Sequence, residues 1–322
     1  IACNFLLQNN IVRLQNKPNF FLVGAAKSGT TSLSSWLDSH PDLYVSPIKE
    51  PNYFSTDIDV SKFRKGYLKS FEAEDSIELK PLKKRQIAFL RDEELYAQLF
   101  KPNNFMVHAG ECSTSYLYSD VAAERIHAFN SESKILIILR NPLERAYSHY
   151  LMAVQMGLES NEFLSAFKRD MNKADKGWGV SELYFELGQY SQQLKRFLKV
   201  FPENQIKVVL FEDWIQQPKE TQESICKFLN VSIFAALQNE VLNKSVSPKN
   251  PRLHRFLMQS GLKDLVKKVL PKEFFDKIKG GQYKGEKEVL APEERKYLVN
   301  LYRDEILELQ GLIKRDLSNW LK

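Results

Sequence analysis

Cysteine is scarce in this chain. The only three, Cys3, Cys112 and Cys226, are far apart and fit neither a Cys-x-x-Cys pair nor a zinc-ligand spacing. They read as free thiols, which favours a reducing compartment, and a cytoplasmic location is the expectation. Long apolar runs are missing as well. No stretch reaches the roughly 18 residues of a transmembrane helix. Residues 1–18 show no secretory pattern and read as an N-terminal extension; the chain opens on Ile1, not Met, which leaves room for an upstream anchor. Internal repeats and low-complexity segments are absent, as are RNP, zinc-finger and basic-zipper signatures. The charge excess is small: 46 basic against 40 acidic residues give a net +6. That suits an anionic ligand and is too little to imply nucleic-acid binding, so none is expected.

With 322 residues, 43% apolar and 27% charged, the chain can bury a core without disulfides. Apolar runs at 19–23, 134–139 and 205–211 read as buried parallel strands, and 105–110 as a weaker fourth. Helical stretches at 29–39, 121–130, 142–156, 188–201 and 219–229 alternate with them; Pro142 takes a favoured first-turn position. This alternation predicts an α/β fold, a central parallel sheet flanked by helices. Residues 68–90 are charged and irregular and read as a surface excursion. Residues 292–321 read as a closing helix with Leu298, Leu301, Ile306, Leu309 and Leu312 facing inward. Residues 252–279 carry eight Lys/Arg and three Asp/Glu. That segment fits a solvated helix face, a lid, an acidic-substrate surface or a membrane-surface helix. No linker interrupts the pattern, so one domain over 1–322 is expected.

The richest segment is Val23-Gly24-Ala25-Ala26-Lys27-Ser28-Gly29-Thr30-Thr31, where a buried strand enters a small-residue turn and a helix opens. Such a turn aims backbone N–H groups and the positive helix end at one place. Lys27 adds a full charge, and Ser28, Thr30 and Thr31 add hydroxyl donors. A Walker A loop places lysine directly after the last glycine, whereas Lys27 precedes Gly29 by two residues. A Walker B strand would end in aspartate to hold Mg²⁺; the strand at 134–139 runs into Arg140 instead, so no metal is expected. Arg140 has the planar fork that grips phosphate, and Ser148 follows about two turns into the next helix.

These two motifs resemble those of the sulfotransferases that use 3′-phosphoadenosine-5′-phosphosulfate (PAPS). The loop Lys27–Thr31 is similar to their 5′-phosphosulfate loop, and Arg140 with Ser148 to their 3′-phosphate motif. The pattern is closest to heparan sulfate and related bacterial sulfotransferases. It includes Lys49-Glu50-Pro51-Asn52-Tyr53-Phe54, Gly110-Glu111 with Tyr116, Gly188-Gln189-Tyr190, a late Lys284-Gly285 turn and a helix closing near Trp320. Two departures concern the acceptor. Cys112 stands where glycosaminoglycan enzymes often carry lysine, and Glu286 follows Gly285 where arginine is frequent.

The resemblance implies a P-loop-NTPase-like sulfotransferase fold. It also implies sulfuryl transfer from PAPS to a hydroxyl or amine, on a small natural product or a glycan, releasing adenosine 3′,5′-bisphosphate. Lys27 would neutralise the leaving oxygen, and Ser28, Gly29, Thr30, Thr31, Arg140, Ser148, Lys284 and Gly285 would hold the nucleotide. Glu50 is the carboxylate implied as general base. On physics alone a Lys49–Glu50 pair in a loop is an ordinary surface ion pair. Glu111 is the next candidate base and His108 the third. A nucleotide kinase of the P-loop type and a non-catalytic nucleotide-binding module are the competing readings.

Overall fold

The computed structural model describes residues 17–64, 67, 85–101, 106–234, 250–259 and 289–322. Lys284, Gly285 and most of the basic segment at 252–279 lie outside these residues. The chain forms two compact units, one of Ile1–Arg140 with Tyr190–Leu242, the other of Asn141–Gln189 with Asn243–Lys322.

In the first unit five strands make a parallel sheet: β1 (Phe20–Gly24), β2 (Leu43–Val45), β5 (His108–Cys112), β6 (Lys134–Leu139) and β7 (Ile206–Leu210), ordered β2-β5-β1-β6-β7. A two-stranded parallel ribbon joins β3 (Ile48–Glu50) to β4 (Arg85–Ile87). Every residue of β1 is buried, as a strand covered on both faces requires. The chain leaves β1 for β2 and β5 on one side and later crosses to β6 and β7 on the other. Sheet order therefore reverses at β1, and the carboxyl end at such a switch is where open α/β sheets bind ligands. Helix Thr30–Ser39 follows β1, burying Leu33, Trp36 and Leu37 at one-face spacing. They join Leu22, Leu136, Val209, Trp214 and Ile225 in a single apolar cluster.

The second unit carries helices Pro142–Gln155, Phe163–Met171, Pro251–Gln259 and Pro292–Ile313. Helix Pro142–Gln155 has the anticipated Pro at its start, with the Asn141 side chain accepting from Leu143 N. Among the described residues no helix is long and apolar enough to cross a membrane.

Several elements depart from the sequence reading. The fourth strand is His108–Cys112, not 105–110, because Glu111 and Cys112, beyond the expected end, pair with Phe21 and Leu22 of β1 inside the sheet. A Cβ on Gly110 would sit 2.4 Å from Phe20 O, so a side chain there is sterically excluded. Residues 68–84 are outside the described part, but 85–90 are no surface excursion: β4 pairs with β3, and Ala88, Phe89 and Leu90 are buried. The closing helix stops at Ile313 on a left-handed Lys314, and a short 3₁₀ turn, Ser318–Leu321, follows. Its buried face is Leu298, Val299, Tyr302, Ile306 and Leu309; Leu301 and Leu312 are only half-buried, because Tyr302 holds the inward position.

Candidate active site

The loop after β1 is tightly determined. Ala25 N donates to Ile138 O at 2.7 Å and Ser28 N to Ala25 O at 3.1 Å. Lys27 and Gly29 both take left-handed backbone, with φ of 68° and 93°. A lysine in that region is uncommon and is held there by its surroundings. Gly29 is required twice over, since a Cβ would also lie 2.6 Å from Phe211 Cδ2. Helix Thr30–Ser39 starts directly on Gly29 with no side-chain cap, so its first N–H groups face the loop without a capping oxygen. Ser28 is wholly buried and its hydroxyl has no hydrogen-bond partner. An orphaned buried donor, uncapped helix N–H groups and a lysine together fit an oxyanion such as phosphate or sulfate.

Arg140 follows β6 and leans over the same loop. Its Nη1 donates to Lys27 O at 3.4 Å, and its guanidinium carbon lies 5.0 Å from the centre of the Phe211 ring. Tyr190 Oη donates to Arg140 O at 2.9 Å. Phe211 thus packs against both Gly29 and Arg140. Ser148 is carried by the second unit on helix Pro142–Gln155, where it is buried. One turn earlier on that helix, Arg145 is wholly buried and donates through Nη2 to Tyr184 O.

Lys49 and Glu50 end β3, and they are not a surface pair. Glu50 is 7% exposed. Lys49 Nζ lies 3.3 Å from Glu50 Oε1 and donates to Thr31 Oγ1 at 3.0 Å, while Thr114 Oγ1 donates to Glu50 Oε2 at 3.1 Å. The carboxylate is therefore joined to the helix that opens the phosphate loop. Lys27, Ser28, Gly29, Thr30, Thr31, Arg140, Lys49 and Glu50 all belong to the first unit.

Glu111, the second candidate base, is buried completely at the end of β5. Tyr96 Oη and Tyr116 Oη each donate to Oε1 at 2.7 Å, and Ser113 Oγ donates to Oε2 at 2.5 Å. Burial pushes its carboxyl up to about 7, against the pull of these three hydroxyls, and the charge on Glu50 adds to the rise. His108 begins the same strand, at the end away from the loop; its Nδ1 is 2.8 Å from Asn19 Nδ2. Cys112 lies in the core cluster, its thiol pushed up to about 12 by burial. Thr114, Ser113, Asn52 and Phe211 were missed from sequence. The hydroxyl-rich run Ser113-Thr114-Ser115-Tyr116 directly after a strand carboxylate was the available signal for the first two.

A central parallel sheet whose first strand enters a tight small-residue loop that opens a helix, with an arginine leaving the neighbouring strand, is the P-loop-like class of α/β fold. The chain belongs to the sulfotransferase domain family, which it matches over residues 17–310. It is similar to carbohydrate sulfotransferase 15 of Rattus norvegicus, at 27% identity over 74% of this chain and 48% of the relative. It is also similar to heparan sulfate glucosamine 3-O-sulfotransferase 5 of Homo sapiens, at 25% identity over 68% of this chain and 55% of the relative. The chain thus spans about half the length of these curated relatives. A solved sulfotransferase from Alicyclobacillus acidocaldarius superimposes with a TM-score of 0.68 at 28% identity, covering 95% of this chain and 99% of that one.

Proposed function

We propose that this sulfotransferase moves a sulfuryl group from PAPS to a hydroxyl or amine, leaving adenosine 3′,5′-bisphosphate. The observation that carries the reading is the Lys49 bridge, which ties Glu50 to Thr31 of the phosphate loop. A carboxylate fixed beside an anion-binding loop supplies the two things in-line transfer needs, a base for the acceptor and charge stabilisation for the leaving group.

In this reading Lys27, Ser28, Gly29, Thr30 and Thr31 hold the 5′-phosphosulfate, with Lys27 neutralising charge on the bridging oxygen as the S–O bond breaks. Arg140 and Ser148 hold the 3′-phosphate. Lys284 and Gly285, outside the described residues, complete the nucleotide site. Glu50 takes the proton from the acceptor as its oxygen or nitrogen attacks sulfur. The two compact units work as one sulfotransferase domain. The names of the curated relatives point to a glycan acceptor first; a small alcohol or amine is the other class. A cytoplasmic setting rests on the free buried thiols Cys112 and Cys226.

The test is transfer of radiolabel from ³⁵S-PAPS to heparan sulfate, chondroitin and small-alcohol pools in the presence of EDTA. Labelled product in one pool, lost in Lys27→Met, is expected. A P-loop kinase would need Mg²⁺ and ATP. Absence of labelled product in every pool, with ATP turnover restored by Mg²⁺, would overturn the reading.

A further inference from the structure

We propose that Glu111 is a positioning residue for the transfer reaction: its buried carboxylate orients the hydroxyl run that holds Glu50. This rests on the reading of Glu50 as base.

The connection can be followed atom by atom. Ser113 Oγ donates to Glu111 Oε2 and accepts from Asn52 N at 3.0 Å. Tyr116 Oη donates to Glu111 Oε1 and accepts from Phe54 N at 3.3 Å. Glu111 therefore fixes two hydroxyls that in turn hold the backbone of the segment directly after Glu50. The same run supplies Thr114, whose Oγ1 donates to Glu50 Oε2. Asn52 has left-handed backbone, at φ 50°. Its Nδ2 donates to Glu50 O and Ala88 O, and its Oδ1 accepts from Ser115 Oγ. Every hydroxyl in this set has its hydrogen committed, and the carboxyl receives three of them.

That inventory suits the ionised carboxyl better than the neutral one. A carboxylate accepts and never donates, whereas a protonated one carries a hydrogen that one of the three donors must turn away from. Ser113 Oγ accepts from Asn52 N and has a second lone pair for a carboxyl hydrogen, but its own hydrogen would then have to turn away from Oε2. The charged and titratable groups around the carboxyl are few. Tyr96 comes from helix Glu93–Ala97, with Tyr53 stacked on it at 4.1 Å; Tyr116 comes from helix Ser115–Tyr118. The Lys49–Glu50 pair comes from β3, and Cys112 is the next residue on β5. Burial and the Glu50 charge oppose ionisation, the three hydroxyls favour it, and the balance falls near neutrality. The arrangement around Glu50 then tightens as pH rises through that region.

The experiment measures release of adenosine 3′,5′-bisphosphate from PAPS against pH, with heparan sulfate as acceptor and with water alone, for the wild type and four variants. Wild-type turnover should fall on an acid limb near pH 7. Glu111→Gln places an amide donor in the carboxylate's position; turnover should drop roughly ten- to a hundredfold at pH 8, as expected for a displaced catalytic group, and the limb should vanish. KM for PAPS should stay unchanged. Tyr96→Phe removes one donor to the carboxylate and should move the limb to higher pH. Wild-type turnover and an unmoved limb in Glu111→Gln, with Glu50→Gln inactive, overturns the positioning role alone. Near-normal turnover in Glu50→Gln overturns the base reading and this one with it. If Glu111→Gln does not fold, Ser113→Ala decides: it removes the link between Glu111 Oε2 and Asn52 N, and a lowered kcat at unchanged KM with the acid limb moved to higher pH supports the role, while an unchanged kcat rejects it.

Discussion

Lys49 Nζ donates to Thr31 Oγ1 at 3.0 Å while lying 3.3 Å from Glu50 Oε1. One ammonium thus joins the first turn of the helix that opens the phosphate loop to the carboxylate at the end of β3. The loop and the carboxylate come from separate strands, and this bridge gives them a fixed relation before any ligand arrives. Preorganisation of this kind lowers the cost of bringing acceptor and donor groups together.

Replacing Lys49 by Met should therefore destabilise the protein by about 1–3 kcal/mol, because Glu50 would keep its buried charge with only the Thr114 hydroxyl as partner. The double variant Lys49→Met/Glu50→Gln should be less destabilised than the two single losses added together. A coupling of about 0.5–3 kcal/mol in denaturant unfolding is the expected signature of the pair. Additive losses would show that the bridge contributes nothing to stability.

Gly29→Ala should be severe. The left-handed backbone at φ 93° costs an L-residue about 1–2 kcal/mol, and a Cβ 2.6 Å from Phe211 Cδ2 adds a steric term. Phe211 also carries the Arg140 guanidinium on its ring, so the displacement passes to the residue proposed to hold the 3′-phosphate. Thermal unfolding should show the loss, and the stabilisation given by adenosine 3′,5′-bisphosphate should disappear with it. Phe211→Leu in the same chain should recover part of the melting temperature and little of the ligand response.

Much of this architecture was legible in the chain. The apolar runs ending at Val23, Leu139 and Phe211 stand out because parallel strands buried on both faces lack polar alternation, and the structure has strands at all three. The strand-to-helix turn around Lys27 and Gly29 was legible from its run of small residues, and the structure has β1 and helix Thr30–Ser39 on either side of it. Strands β2 and β3 were not, being three residues each, too short for periodicity to register. The surroundings of Glu111 were not legible for a related reason. A carboxylate inside a central strand violates the hydrophobic pattern, and only the tertiary placement of Tyr96, Tyr116 and Ser113 reconciles it. The Lys49–Glu50 pair likewise looks exposed in sequence and is buried by Thr31 and Thr114, which come from other elements.

Arg140→Ala should remove the distinction between nucleotides. Wild-type protein should gain more thermal stability from adenosine 3′,5′-bisphosphate than from 5′-AMP, by the mass-action relation between affinity and stability. In the variant the two ligands should give equal shifts, since the guanidinium is the group assigned to the 3′-phosphate. A preserved difference would move that assignment away from Arg140.

The pH dependence of stability gives a test that needs no acceptor. Glu111 carries a carboxyl raised from an ordinary 4.5 to about 7 in the folded chain. A raised acid binds its proton more tightly folded than unfolded, so between these values the native state holds more protons than the unfolded one. Its contribution is then fully present below about pH 4.5 and is lost as pH rises through about 7. The change is worth roughly 3 kcal/mol across that window. Glu111→Gln cannot titrate and should flatten this part of the curve. Relative to wild type the variant should therefore be less stable at pH 5, and the gap should shrink at pH 8. Urea unfolding at the two pH values measures both differences. If the gap between wild type and Glu111→Gln is the same at pH 5 and pH 8, the carboxyl does not titrate between them, and the acid limb assigned to it must come from another group.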